Sequence, residues 1–339
     1  LQCKDDGILS RNAGEFEMKK FCLKRVVESV IVLILISFFS FGVIELAPGD
    51  ISSMYISPTM TEEEKQATIE KLGLDRSMGE RYVEWFKGVL QGDFGVSLSN
   101  KRPVAEQFAE KLPATILLMS VSLALSLIIS IPLGLIAGLK KNTIIDRIIN
   151  LIAYIGVSIP SFWLAMVMII VFSLKLRLLP SSGMHTIGVD SAWDTIKHLI
   201  MPAFTLCIGN LATFTRYIRS NTIGQLEEEY VLTAKSKGTS KGKILFRHVL
   251  KNCLLPIITL IGMRLASLVV GSFIIESIFG WPGLGTLGMS AIQSRDYPMI
   301  MAYTMLSGTI LVLGNFLADI LYAFADPRIK QGMGEAHGR

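Results

Sequence analysis

The side chains that usually carry covalent chemistry occur in this chain at spacings that support none of it. His185, His198, His248 and His337 are scattered and form no His-Glu-x-x-His pair, which leaves a zinc peptidase unsupported. Cys3, Cys22, Cys207 and Cys253 form no Cys-x-x-Cys pair and match neither a zinc site nor a disulfide framework, so they read as packing or neutral thiols. Gly238-Thr-Ser-Lys-Gly242-Lys243-Ile244 imitates a phosphate-binding loop. Such a loop needs four residues between its glycines and a Ser or Thr after the Lys to hold Mg²⁺. Here three residues intervene, and Ile244 follows the Lys. The chain therefore lacks an ATP site of this type.

Charge placed inside apolar runs is the second signal. Arg264 lies about 12 Å into an apolar run, counted at the helical rise from Pro256. A charge at that depth is costly unless paired or wetted. Asp319 lies at a similar distance from the inner end of the last run and is the natural partner of Arg264, either as a structural pair or at the wall of a substrate path. Glu276, just before a Gly-Trp-Pro-Gly turn, reads as an interfacial residue or a gate residue, the interfacial reading being preferred.

The most informative polar stretch runs from Glu229 to Pro256. It reads as a short helix, a turn at Gly238, a basic amphipathic helix, and a Pro opening the next apolar run. Ile244, Leu245, Val249 and Leu250 share one face, while Lys243, Arg247 and Lys251 repeat every four residues on another. A rigid elbow of this kind suits docking on a soluble partner. A solvated basic loop facing anionic lipid is the equal alternative.

These residues must be carried by membrane helices. Half of the chain is hydrophobic (51%) and only 18% is charged, which excludes an ordinary soluble domain. Mean hydropathy is +0.50. Apolar runs long enough for a core of roughly 30 Å lie at Val26 to Ala47, Ala114 to Leu139, Ile148 to Leu174, Leu199 to Ile218, Leu255 to Phe279 and Met299 to Phe324. The fold expected is an all-α membrane protein of about six transmembrane helices. A small extracytoplasmic helical insert follows the first of them. In that insert, Thr61 and Glu64 form a capping box, with a helix stop at Gly73, and a second amphipathic helix covers about Met78 to Leu90. Gly134-Leu-Ile-Ala-Gly138 permits close helix approach, a spacing that also arises by chance. Pro132 and Pro160 are expected inside continuous spans. The net charge of +5 reflects membrane topology more than any nucleic-acid role. Lys and Arg concentrate at 140–147, 216–251 and 328–330, which places both termini inside.

The resulting division is residues 1–17 as a non-native or upstream-translated extension before Met18-Lys19-Lys20, and 18–47 as cytoplasmic N-terminus and first span. Residues 48–113 form the insert, and 114–324 form a five-helix core that includes a cytoplasmic coupling loop at 220–256. Residues 325–339 are a cytoplasmic tail.

Thr233-Ala234-Lys-Ser-Lys-Gly238, followed by Arg247-His248, Asn252 and Leu255-Pro256, resembles the "EAA" loop of binding-protein-dependent ABC importers, in the peptide and nickel permease branch. Of the general Glu-Ala-Ala motif, Leu232-Thr233-Ala234 keeps only the last Ala. Leu46-Ala-Pro-Gly-Asp50, Gly92-Asp-Phe-Gly95, Leu112-Pro-Ala-Thr115, Ser158-Ile-Pro-Ser-Phe-Trp163, Phe279-Gly-Trp-Pro-Gly-Leu-Gly285 and Asp326-Pro-Arg-Ile329 follow the family's order, so the resemblance covers nearly all of the chain from Met18 to Lys330.

The resemblance implies a permease subunit in a bacterial inner membrane that performs no covalent chemistry. It implies a second, similar permease, two ATPase subunits holding ATP and Mg, and an extracytoplasmic solute-binding protein as partners, besides membrane lipid. The ATPases would meet the chain at Glu229, Thr233, Ala234, Gly238, Arg247, His248, Asn252 and Pro256. This chain itself is expected to bind no cofactor, metal or nucleic acid. Di- or oligopeptides are the implied substrates, with nickel or another small solute as the alternative. An ion-coupled secondary transporter would need internal repeats and paired interrupted spans, which the sequence does not display. A membrane enzyme would need a catalytic constellation, which is likewise not displayed.

Overall fold

A computed structural model describes residues 2–46, 60–71 and 75–325. Its side chains are described for all of these but 2–19, 21, 68, 71, 241, 248, 254–256, 258, 259, 262–271 and 321–325. Every element named among these residues is a helix, and the one β contact is an isolated bridge between Val96 and Pro103.

The chain opens with α1 (Gln2–Glu45), followed by α2 (Glu62–Lys71) and α3 (Met78–Leu90). The Thr61 capping box forms as expected: Glu64 N–H donates to Thr61 Oγ1 at 3.3 Å and Thr61 N–H to Glu64 Oε2 at 2.9 Å. The expected stop at Gly73 lies outside the described residues. A second capping box starts α3 at Ser77, with Glu80 as its reciprocal partner. Hydrogen bonds from the Ser77 hydroxyl and backbone hold the Glu80 carboxyl below the ordinary carboxylate range. The aromatic face of α3 lies on α1, where Tyr82 meets the rings of Phe38 and Phe41 and shares a hydrogen bond of 2.8 Å with Ser37. Arg81 pairs with Glu45 at 2.5 Å, tying the insert to the outer end of the first span.

The bundle proper begins with α4 (Val104–Leu139). It starts ten residues earlier than the apolar run and passes through Pro113. The carbonyl that Pro113 leaves unpaired belongs to Ala109, an exposed residue in the first turns of the helix. The run at 148–174 departs further from expectation. It is two helices, α5 (Ile144–Ser158) and α6 (Ser161–Met168), the second continued by a π-helical segment Ile169–Lys175 and bent 97° from the first. Pro160 explains the break: a residue before proline is driven out of the helical region, and Ile159 is extended with ψ 123°.

Then come α7 (Ala192–Glu227), α8 (Glu229–Ser236), the four-residue α9 (Lys241–Ile244), a π-helical turn Leu245–Val249, α10 (Leu250–Phe279), α11 (Leu284–Gln293) and α12 (Tyr297–Ala325). Among the described residues, four helices are long and apolar enough to cross a membrane: Cys22–Glu45 within α1, α4, α7 and Tyr297–Ile320 within α12. The bent pair makes a fifth if it is one span. About six were expected; the remaining run, 255–279, falls on α10, where the side chains of 262–271 are outside the described residues.

The tightest helix pair is α4 against α7. Ser122, Ser126, Ser130, Gly134 and Gly138 recur every four residues on one buried stripe of α4. Each serine turns its hydroxyl back to a carbonyl three residues earlier, so the stripe is small and internally satisfied. A Cβ on Gly134 would lie 2.6 Å from Ile218 Cβ, and one on Gly138 2.6 Å from Thr222 Cβ. Without a hydrophobic drive between helices in lipid, such close approach supplies the packing energy. Even Gly134→Ala should therefore destabilise the protein by about 1–3 kcal/mol, the usual cost of overpacking. Gly209→Ala on α7, where an added Cβ meets nothing within 4 Å, should be neutral. Thermal unfolding of the two detergent-solubilised variants checks this difference.

Candidate functional site

The elbow from α8 to α10 is built from an apolar stripe with a polar clasp. Ile244, Leu245, Val249, Cys253 and Ile257 are buried together with Leu135, Phe214, Ile218 and Val231. The four-residue spacing from Leu245 to Ile257 keeps one face on α4 and α7 across the proline. This continuity corrects one expectation: Pro256 sits inside α10 rather than opening it, and the amphipathic segment is a short α9, a π turn and the first turns of α10.

Gly238 has φ +73°, the left-handed conformation in which β-branched residues are strained. Glu229 is exposed, and its carbonyl accepts the Thr233 hydroxyl at 3.0 Å. Ala234 packs at the edge of the buried stripe. Arg247 is exposed, beside exposed Lys243 and Lys251. The His248 and Pro256 side chains lie outside the described residues. Asn252 donates to Gln225 Oε1 at 3.1 Å, and the Tyr230 hydroxyl donates to the same oxygen at 2.7 Å. Gln225 thus clasps the ends of α7, α8 and α10. No motif in the sequence singled out Gln225 or Tyr230.

Next to the elbow lies a buried ion pair that the basic-loop count concealed. Arg219 grips Asp146 with two bonds, Nε to Oδ1 at 2.5 Å and a terminal nitrogen to Oδ2 at 2.7 Å. Asp146 is 3% exposed and also accepts Asn142 N–H at 2.9 Å and Asn150 Nδ2 at 2.7 Å. A paired guanidinium and carboxylate with every lone pair engaged is the form in which buried charge is tolerated. Lys141 adds a looser contact to Glu227 at 3.4 Å. Together these fasten the α4–α5 turn to α7.

Glu276, expected at the interface or as a gate, is fully buried by its own chain near the end of α10. The turn after α10 folds back so that α11 begins over its carboxylate. Gly285 N–H donates to Glu276 Oε2 at 2.6 Å, the Thr115 hydroxyl donates to Oε1 at 2.8 Å, and Leu284 N–H donates to Thr115 Oγ1 at 2.8 Å. Glu276 therefore caps α11 from another helix, its oxygen taking up an N–H at the start of that helix. A Cβ on Gly283 would collide with the Glu276 carboxylate and Thr115 Oγ1. Trp281, fully buried, donates its indole N–H to Ala114 O at 2.8 Å. A second outer junction joins the insert to the bundle: Asp296, 1% exposed, accepts the Ser97 hydroxyl at 2.5 Å and the Ser99 hydroxyl at 3.1 Å.

Asp319 lies 3.2 Å from Arg25 Nε. Arg264, the expected partner, has its side chain outside the described residues. Among the described residues, α1 packs along α12 and brings Arg25 beside Asp319.

Long apolar helices with polar junctions confined to their inner and outer ends define a multi-pass helical membrane protein. Residues 130–331 match the family described as binding-protein-dependent transport system inner membrane component, and residues 18–119 match the N-terminal region of such components. The chain belongs to this family and is a transport subunit of the inner membrane. It is 40% identical over 315 residues to the oligopeptide transport system permease protein AppB of Bacillus subtilis, covering 92% of this chain and 100% of that one. It is 33% identical over 313 residues to the glutathione transport system permease protein GsiC of Escherichia coli (92% and 99% covered). It is 32% identical over 332 residues to the dipeptide transport system permease protein DppB of Alkalihalophilus pseudofirmus (92% and 100% covered).

Removing one partner of the Arg219–Asp146 pair strands a buried charge. Arg219→Met should destabilise the protein, and Arg219→Met with Asp146→Leu should recover much of that loss. Melting of the single and double variants against the parent measures the recovery; none would mean the pair does not act as a unit.

Proposed function

We propose that this chain is one half of the translocation path of an ATP-driven importer of di- or oligopeptides. The observation that carries the substrate class is end-to-end similarity to permeases named for oligopeptide and dipeptide transport. A second, similar permease completes the path, two ATPase subunits hold ATP and Mg, and an extracytoplasmic binding protein delivers the substrate. Both termini are cytoplasmic, in line with the basic residues at 140–147 and 216–251.

The elbow from α8 to α10 is the ATPase contact. It presents Leu232 (55% exposed) and Phe246 (66%) with Lys243, Arg247 and Lys251 around them. Two apolar knobs in a cationic surround suit a groove with acidic edges on a soluble partner better than they suit bulk water. Beneath the knobs, the buried stripe and the Gln225 clasp make the elbow stiff enough to pass a push into α7 and α10. Transport then proceeds by alternating access, with ATP-driven closure of the ATPases moving the elbow.

ATP-dependent uptake of labelled di- and oligopeptides into vesicles holding the complete transporter tests the substrate class; uptake of nickel with none of peptide would overturn it. In the same assay Gly238→Val should lower uptake per ATP by about five- to thirtyfold, the factor that 1–2 kcal/mol of left-handed strain represents, while ATP hydrolysis continues. Topology is checked at Gly79, where an added Cβ meets nothing within 4 Å. Gly79→Cys should react with an impermeant thiol reagent in intact cells; reaction only after permeabilisation would reverse the orientation.

A further inference from the structure

The face shared by α5 and α7 near the elbow carries cations without anions. Arg216, exposed on α7, lies three residues before Arg219, a displacement of about 4.5 Å along the helix. The carboxylate at this level, Asp146, is already taken by Arg219 and by the Asn142 and Asn150 donors. Arg216 meets a ring instead: its guanidinium carbon lies 5.0 Å from the centroid of Tyr154. A ring face attracts a cation and fixes its place, but it carries no net charge to neutralise one. Arg147, the residue after Asp146, is exposed on α5 and shares a helix face with Leu151 and Tyr154, at i, i+4 and i+7. Among the described residues, neither Arg147 nor Arg216 has a carboxylate within ion-pair distance.

The antiparallel packing of α5 on α7 sets the depth of these cations. Asp146 pairs with Arg219, and a Cβ on Gly156 would touch Ile208, which puts Arg216 near the level of Ile149. The apolar run of α5 starts at Ile148, so Arg216 sits within about one turn of the hydrocarbon edge. Beyond that edge the exposed face of α5 is a wall of Ile148, Leu151, Ile152 and Ile155, each about half exposed. An unneutralised Arg against hydrocarbon is costly. Cations at a rim with aliphatic side chains beneath match the two parts of a phospholipid, its phosphate and its acyl chains. A soluble anion would make no use of the wall, and a partner helix would have to bring an acid to the rim.

We propose that the α5–α7 face binds an anionic phospholipid, its headgroup held by Arg216 on the Tyr154 ring and by Arg147, its chains lying on the wall of α5. The site adjoins the Asp146–Arg219 junction, so the bound headgroup braces the turn that fastens α5 to α7. Such binding is independent of the solute carried.

In the test, the complete transporter in detergent is titrated with phosphatidylglycerol or with phosphatidylcholine of the same acyl chains, and bound lipid is counted by native mass spectrometry. Arg216→Gln should weaken phosphatidylglycerol binding about fivefold, the worth of one cation near an anionic headgroup. Adding Arg147→Gln should weaken it further, while phosphatidylcholine binding stays unchanged. Lys197→Gln removes an exposed cation from the opposite end of α7 and should bind as the parent does. Parent-like phosphatidylglycerol binding by the double variant would overturn the proposal, whether a partner subunit or a peptide carboxylate occupies the face instead. An equal loss for both lipids would overturn it too, since headgroup charge would then play no part. Retained ATP hydrolysis reports assembly. Should Arg216→Gln fail to assemble, Arg147→Gln alone gives the reading, with a loss of about the same size. Lipid is counted without substrate, so absence of peptide uptake would sink the substrate assignment and leave this result standing.

Discussion

A peptide group in hydrocarbon has no water to bond, and the architecture follows from that constraint. Each backbone segment inside the bilayer closes its own hydrogen bonds as a helix, or else lies against protein or water. Once the helices are closed, lipid gives them no hydrophobic reason to associate, so contact depends on how near two backbones come. The stripe from Ser122 to Gly138 meets that need by leaving almost no side chain between α4 and α7. The pair these helices form is the frame on which the elbow is mounted.

Buried charge is placed where the frame must be joined to loops. Asp146 and Arg219 fasten the inner α4–α5 turn to α7, Glu276 fastens the start of α11 to α4, and Asp296 fastens the insert to the α11–α12 turn. In each case the carboxyl oxygens accept several short bonds, so the geometry of the junction is narrow. The consequence for transport is mechanical. The elbow is continuous with α7 and α10 through a packed stripe, and the turns at the opposite ends are tied to helices of the same frame.

Some of this was legible in the residues. Apolar run length marked the spans, because bilayer thickness sets it. The capping box at Thr61, the aromatic face of α3 and the left-handed turn at Gly238 are local, each set by a few neighbouring residues and backbone sterics. The ordered motifs from Leu46 to Ile329 placed the chain in its family. Glu276 was noticed, but its hydrogen-bond partners were not, since nothing in one helix shows that a following turn folds back over it. Asp319 was noticed too, but a count of depth along two helices does not reveal that a third brings Arg25 beside it.

The sequence by itself determined that the chain is helical, that it spans a membrane repeatedly, and that the elbow at 229–256 is basic on one face and apolar on the other. Those properties depend on hydropathy, helical period and capping, which act within a turn or two of each residue. Tertiary structure alone decided that Gly134 and Gly138 are contact points rather than a chance spacing, and that Asp146 pairs with Arg219 across 73 positions. It also decided that the third apolar run is a bent pair instead of one rod. These outcomes depend on which helix lies beside which. That arrangement comes from the packing of whole helices, and no local window of residues contains it.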